Sequence, residues 1–132
     1  LLMTPQTKLQ ALQDLLEQLR DKTQGCPWSL QQSWQSLLPL TLEEVHELIV
    51  AVKQQNPDAV KSELGDLLYH ILFYVQIARE ENLFDLEDIA ASMLEKQQQR
   101  RKSNHHEDAT DAHQYWQQQK RSHNEQEESQ RP

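Results

Sequence analysis

Hydrophobic positions between Leu9 and Leu94 recur three and four apart, and no window sustains the alternation of β-branched and polar residues that a strand needs. Thr4 followed by Pro5 has the form of an N-cap with proline at the first helical position. Leu9, Leu12, Leu16 and Leu19 follow on one stripe, which predicts a helix from about Pro5 to Arg20. The segment DKTQGCPWS ends it, with Gly25 and Pro27 as breakers. Ser29 to Gln32 then offers caps for a short helical turn carrying Trp34, Leu37 and Leu38, closed by Pro39. Thr41 and Glu44 stand in capping-box spacing at the head of TLEEVHELIVAVKQQ, whose Val45, Leu48, Ile49 and Val52 form the next stripe.

Asn56 and Pro57 stop the chain and restart it, predicting a tight helical hairpin into a long helix from about Pro57 to Glu81. Its expected core stripe is Val60, Leu64, Leu67, Leu68, Ile71, Leu72 and Val75. Asp85 is expected to cap a fourth helix with Ile89 and Met93 facing inward and a polar end, KQQQRRK. A last helix is expected from Thr110 or Asp111 through Trp116 to Arg121, and SHNEQEESQRP, with no apolar period, is expected to be disordered. The predicted fold is all-α, with helical hairpins forming a four-helix-bundle-like core in a domain over residues 4–121 and a tail over 122–132. Leu1 and Leu2 precede Met3 and are set aside.

Composition changes this picture in one respect. Only 36% of the 132 residues are hydrophobic, too few for a self-sufficient globule, so the core is expected to be completed by a second subunit, in a homodimer or a dimer of dimers. A net charge of −8 argues against a nucleic-acid polymer as partner, because phosphate backbones need a basic face. The best apolar run, Leu67 to Ala78, is interrupted by His70 and Gln76 and is too short for a bilayer. The lone Cys26 excludes an internal disulfide, and without a secretory signal the cytoplasm is the expected compartment.

The candidate chemistry lies in the carboxylates. Glu44 and Glu47 stand three apart on one helix, as do Glu63 and Asp66 on the next, so each pair projects from one face. A hairpin turning at Asn56 and Pro57 brings the pairs opposite each other. Two like charges about 4 Å apart cost about 4 kcal/mol at an effective dielectric of about 20, so a cation is expected among them. Hard oxygen donors favour Mg²⁺ or Mn²⁺ over zinc or copper, and Mg²⁺ commonly binds phosphate oxygens, which points to chemistry at a nucleoside polyphosphate. Taken singly, each acid is equally an ordinary solvated residue, and Glu44 is also the reciprocal partner in the Thr41 capping box. Gly65, between Glu63 and Asp66, is expected to leave room for a neighbouring helix or a ligand. His70 is read as a satisfied core histidine or a partner of the acids, and His46 as lying off the site face.

TLEEVHEL and SELGDLLYHILFYVQIA resemble the MazG family of nucleoside triphosphate pyrophosphohydrolases, whose superfamily pattern is E-x-x-E, a spacer and E-x-x-D. Here those positions are Glu44, Glu47, Glu63 and Asp66. LRDKTQGCPW (Leu19 to Trp28) and FDLEDI (Phe84 to Ile89) add to a likeness that spans about Leu15 to Arg121. The resemblance implies Mg²⁺-dependent hydrolysis of (deoxy)nucleoside triphosphates between the α and β phosphates, with Mn²⁺ as a substitute, and a role in nucleotide-pool cleaning. By that likeness the four acids hold the metal, Glu43 orders water beside Glu44 and Glu47, and Lys96, Arg100, Trp116 and Lys120 contact the nucleotide. Read from residues alone, the last four are ordinary surface charge and a packing tryptophan.

Two stretches depart from the family. After Cys-Pro-Trp this chain has Ser29, Leu30, Ser33 and Trp34, a region expected near the base and sugar, so Trp28 and Trp34 are weak candidates for that pocket. RRKSNHHED is degenerate against the usual Arg-Arg-His-Pro-His, and Arg101, His105 and His106 receive no role. Cys26 is read as packing, since no basic partner marks it as a nucleophile. Two other readings stand beside this one: a ferritin-like carboxylate metalloprotein, prompted by the E-x-x-H of Glu43 to His46, and a non-enzymatic helical oligomerisation module.

Overall fold

The computed structural model describes residues 5–102 and 109–129, and side-chain surroundings for 5–102 and 113–129. Contacts divide the chain into two units, Leu1–Leu86 and Glu87–Pro132. Among the described residues every regular element is helical.

In the first unit α1 spans Lys8–Leu19. It begins later than the expected Pro5 because Thr7 caps it, its side chain accepting from the Gln10 N–H at 3.1 Å. Thr4 lies outside the described residues. The following loop is closed by Asp21, whose Oδ1 accepts from Thr23 N–H and Gln24 N–H, each at 2.9 Å, and from the Thr23 hydroxyl. These donors hold its carboxyl below the usual range. A short α2, Pro27–Leu30, has proline at its start.

The third helix corrects the sequence reading. α3 runs unbroken from Trp34 to Lys53, through Pro39. Ser33 and Ser36 make the capping box, each side chain accepting from the other's backbone N–H. Helix has therefore begun before Pro39, whose missing donor removes one bond near the N-terminal end and does not stop the run. Thr41 is thus not a cap: its hydroxyl donates to Leu37 O at 3.0 Å and lies 2.8 Å from the Tyr74 hydroxyl and 3.0 Å from His70 Nδ1.

Gln55, at φ 55°, turns the chain into α4, Pro57–Glu80, which Asn56 caps through Ala59 N–H. α4 ends in a Schellman arrangement with Asn82 at φ 57°, Leu83 N–H reaching Ala78 O and Asn82 N–H reaching Arg79 O. Packing runs between α3 and α4 and between α1 and α4. The core of Leu16, Leu37, Leu72, Phe73 and Ile77 gathers on the second half of α4, with Trp34, Tyr69 and Tyr74 against it. Leu64, Leu68 and Ile71, expected in the core stripe, are exposed, because they share a side of α4 that no element covers within the unit.

Arg20 ties these parts together. Its guanidinium bonds both carboxylate oxygens of Glu80 at 2.9 and 2.7 Å, and Ser29 O and Gln32 O at 2.5 and 3.0 Å, above the Phe73 ring.

The second unit holds α5, Leu86–Lys102, from its second residue on, and α6, Ala109–Ser129. Ile89 and Met93 are exposed rather than inward-facing. α6 continues past Arg121 to Ser129, where a disordered tail was expected. The Gln- and Glu-rich run contains no glycine or proline before Pro132, and His123 pairs with Glu127 one turn on at 2.8 Å. The remaining tail residues, and His105 and His106, lie outside the described residues.

Candidate active site

The hairpin of α3 and α4 does to the four acids what their spacing predicts. One carboxylate oxygen from each of Glu44, Glu47, Glu63 and Asp66 lies within 4.8 Å of the others. Glu47 and Asp66 are open to solvent, while Glu44 and Glu63 are half-buried. Glu44 Oε2 and Glu63 Oε2 are shielded from water and have no hydrogen-bond partner. Burial and then the neighbouring charges push both carboxyls above their ordinary 4.5: Glu47, Asp66 and Glu63 act on Glu44, and Glu47 and Asp66 act on Glu63.

Orphaned, shielded carboxylate oxygens are costly unless something positive meets them. An all-oxygen carboxylate set of this kind fits a hard divalent cation. The cluster contains no histidine, which removes the E-x-x-H element on which the ferritin-like reading depends, and Glu43 lies outside it.

The other candidates fall into three groups. Trp34 is taken up by packing: its indole N–H donates to Tyr74 O at 3.1 Å and its ring stacks on Phe84 at 6.1 Å. Trp28 is half exposed and meets Phe73 edge-on. In the second unit Arg100 and Lys120 lie over the Trp116 ring at 6.0 and 5.2 Å, and Lys96 and Arg100 line one polar cavity with Ser122 and His123.

His70 is the satisfied histidine that was expected, against Thr41. His46 is not off the site face: it lines a cavity of about 300 Å³ with Glu47, Glu63, Val50, Gln54 and Ala59. The signal was present in the sequence, since Val50 and Gln54 follow Glu47 at helical intervals of three and seven. Gly65 has open space where a Cβ would stand, so within the unit no neighbouring helix explains it.

The family model of the MazG nucleotide pyrophosphohydrolase domain matches residues 32–105. The chain belongs to the MazG family. It is 39% identical over 89 residues to the nucleoside triphosphate pyrophosphohydrolase of Escherichia coli K12, which covers 67% of this chain and 34% of that protein. It is 42% identical over 85 residues to the nucleoside triphosphate pyrophosphohydrolase/pyrophosphatase MazG of Thermotoga maritima, 64% of this chain and 33% of the relative. The corresponding protein of Mycolicibacterium smegmatis is 38% identical over 84 residues, 62% of this chain and 25% of its own length. The chain thus spans about a third or less of these MazG-family relatives. The family match takes in the whole α3–α4 hairpin and its four acids.

Proposed function

We propose that this MazG-family chain hydrolyses (deoxy)nucleoside triphosphates between the α and β phosphates, releasing a nucleoside monophosphate and pyrophosphate with Mg²⁺ as the metal. The observation that carries the reading is the convergence of four carboxylates from two helices with two of their oxygens buried and unpartnered. The names of the relatives agree with it.

Glu44, Glu47, Glu63 and Asp66 would hold the ion. Bound there, Mg²⁺, or Mn²⁺ in its place, would supply neutralisation of phosphate charge and a water of lowered pKa. Glu43, exposed beside Glu44, is assigned to orient the attacking water and accept its proton. The water oxygen bonds to one phosphorus of the α–β anhydride as that phosphorus's bond to the bridging oxygen breaks, so the bridging oxygen leaves with one product and the water oxygen stays on the other. In the second unit Lys96 and Arg100 are assigned to phosphate oxygens, with Trp116 holding Arg100 and Lys120 over its ring.

The same reading makes the chain a homodimer. Ile49, Val52, Leu64, Leu68 and Ile71 are exposed on the two helices that carry the acids, an apolar face of the kind a second copy covers. No helix among the described residues is long and apolar enough to cross a membrane, and the proposed compartment is the cytoplasm.

The test is a panel of ribo- and deoxynucleoside triphosphates with Mg²⁺, Mn²⁺ or EDTA, resolving pyrophosphate from single phosphate. Pyrophosphate from at least one substrate, abolished by EDTA, is expected. Phosphate alone, or no product from any substrate, overturns the reading.

A further inference from the structure

If polyphosphate is held at the four acids, the rest of the nucleotide must occupy space that adjoins them. The tryptophans suggested by the sequence do not supply it. Trp34 has spent its N–H and a ring face inside the core. Trp28 stands at Phe73, seven residues along α4 from Asp66, or about 10 Å of helix at ~1.5 Å per residue, and does not line the cavity that Glu47 and Glu63 share. In the second unit Trp116 already carries two cations over its ring.

The cavity on the turn side of the acids has what is missing. Glu47 and Glu63 form one wall, so it opens directly onto the carboxylate cluster. Val50 and Ala59 give it apolar surfaces from the two helices, matched to the face of a planar ring. His46 and Gln54 bring a ring nitrogen pair and an amide, and neither side chain makes a hydrogen bond among the described residues. Its volume, about 300 Å³, falls at the lower end of the roughly 300–1,000 Å³ typical of small-molecule sites. Apolar walls with a few unengaged polar groups form the pattern that fixes a heterocycle by its edge.

We propose that this cavity receives the nucleobase of the substrate, and that His46 and Gln54 set base preference through hydrogen bonds to its edge. The inference rests on the pyrophosphohydrolase reading above and adds to it a place for the base and two specificity residues. Neither side chain supports the fold, so their removal leaves the helices intact, whereas Ala59→Leu narrows the slot from the opposite helix.

The experiment compares kcat/KM for ATP, GTP, CTP and UTP, and their deoxy forms, in the wild type, His46→Ala, Gln54→Ala and Ala59→Leu. In parallel, equilibrium binding of inorganic tripolyphosphate, which has no base, is measured on the same proteins with Mg²⁺. Loss of an edge hydrogen bond is expected to change the ratio of kcat/KM between the best and worst bases by roughly fivefold or more, mainly through KM. Ala59→Leu is expected to penalise purines more than pyrimidines, and tripolyphosphate affinity is expected to hold within about twofold throughout. Wild-type hydrolysis with base ratios unchanged in all three variants overturns this inference and leaves the pyrophosphohydrolase reading standing. Tripolyphosphate affinity falling in step with nucleotide affinity also overturns it, since the residues would then serve the phosphates. No hydrolysis by the wild type overturns both.

Discussion

Replacing each of the chain's two glycines by alanine is expected to move stability in opposite directions. At Gly65 an added Cβ meets nothing within 4 Å, so no steric cost offsets the gain in helix propensity. That gain is about 1 kcal/mol in a helix interior. For a unit of the size of Leu1–Leu86 it raises the melting temperature by roughly 4–8 °C. At Gly25 the same Cβ stands 2.4 Å from Asp21 O and 2.4 Å from Leu19 O, both backbone atoms that side-chain rotation cannot move. Relieving the contact disturbs the bonds from Gly25 N–H to Asp21 O at 2.8 Å and from Cys26 N–H to Leu19 O at 2.9 Å. At about 1 kcal/mol each, their loss costs about 2 kcal/mol before any repacking. Circular-dichroism melts of Gly25→Ala, Gly65→Ala and wild type, without divalent ions, measure both signs. A Gly25→Ala melt equal to wild type, or Gly65→Ala melting lower, refutes the reasoning.

Two more predictions follow from the same geometry. Arg20→Ala strips partners from Glu80, Ser29 O and Gln32 O, and because the Arg20 side chain is only 9% exposed while that of Glu80 is 34% exposed, the loss is expected at about 2–3 kcal/mol in urea unfolding, with Arg20→Lys recovering less than half. Wild-type unfolding within 0.5 kcal/mol of Arg20→Ala would contradict this. The raised carboxyls of Glu44 and Glu63 give a pH dependence in metal-free protein. With folded values above the unfolded 4.5, the folded state binds more protons, so stability falls as pH rises from 4.5 through the raised values and then levels. Glu44→Gln removes part of that slope, and its melting temperature should gain on wild type as pH rises. A constant gap from pH 4.5 to 8 would argue against charge crowding at the cluster.

Much of this was legible in the sequence where the signals are local. Asn56 before Pro57 fixes the start of α4, and the i, i+3 spacing of each acid pair fixes their common face, so their meeting across a hairpin follows from turn length alone. Where two local signals compete, spacing alone does not show which one starts the helix. Thr41 with Glu44 and Ser33 with Ser36 both have cap spacing or side-chain chemistry, and the latter wins because it starts the helix before Pro39 can stop it. The apolar stripe of α4 was visible, but periodicity says which residues share a face and not what lies against it. Leu64, Leu68 and Ile71 are therefore open within the unit, while the core collects lower on the helix around Phe73. The packing of Trp34 was hidden for a related reason, since its partners Tyr74 O and Phe84 are forty and fifty residues distant.

The four-acid site is tested most directly by two quantities measured on one preparation: Mg²⁺ binding by calorimetry and pyrophosphate release from a nucleoside triphosphate, for wild type, Glu47→Gln and Asp66→Asn. Wild type is expected to show both, and each variant to keep its helical spectrum while losing the ion and at least about a hundredfold in rate. Pyrophosphate release at the wild-type rate in Glu47→Gln or Asp66→Asn would contradict that expectation.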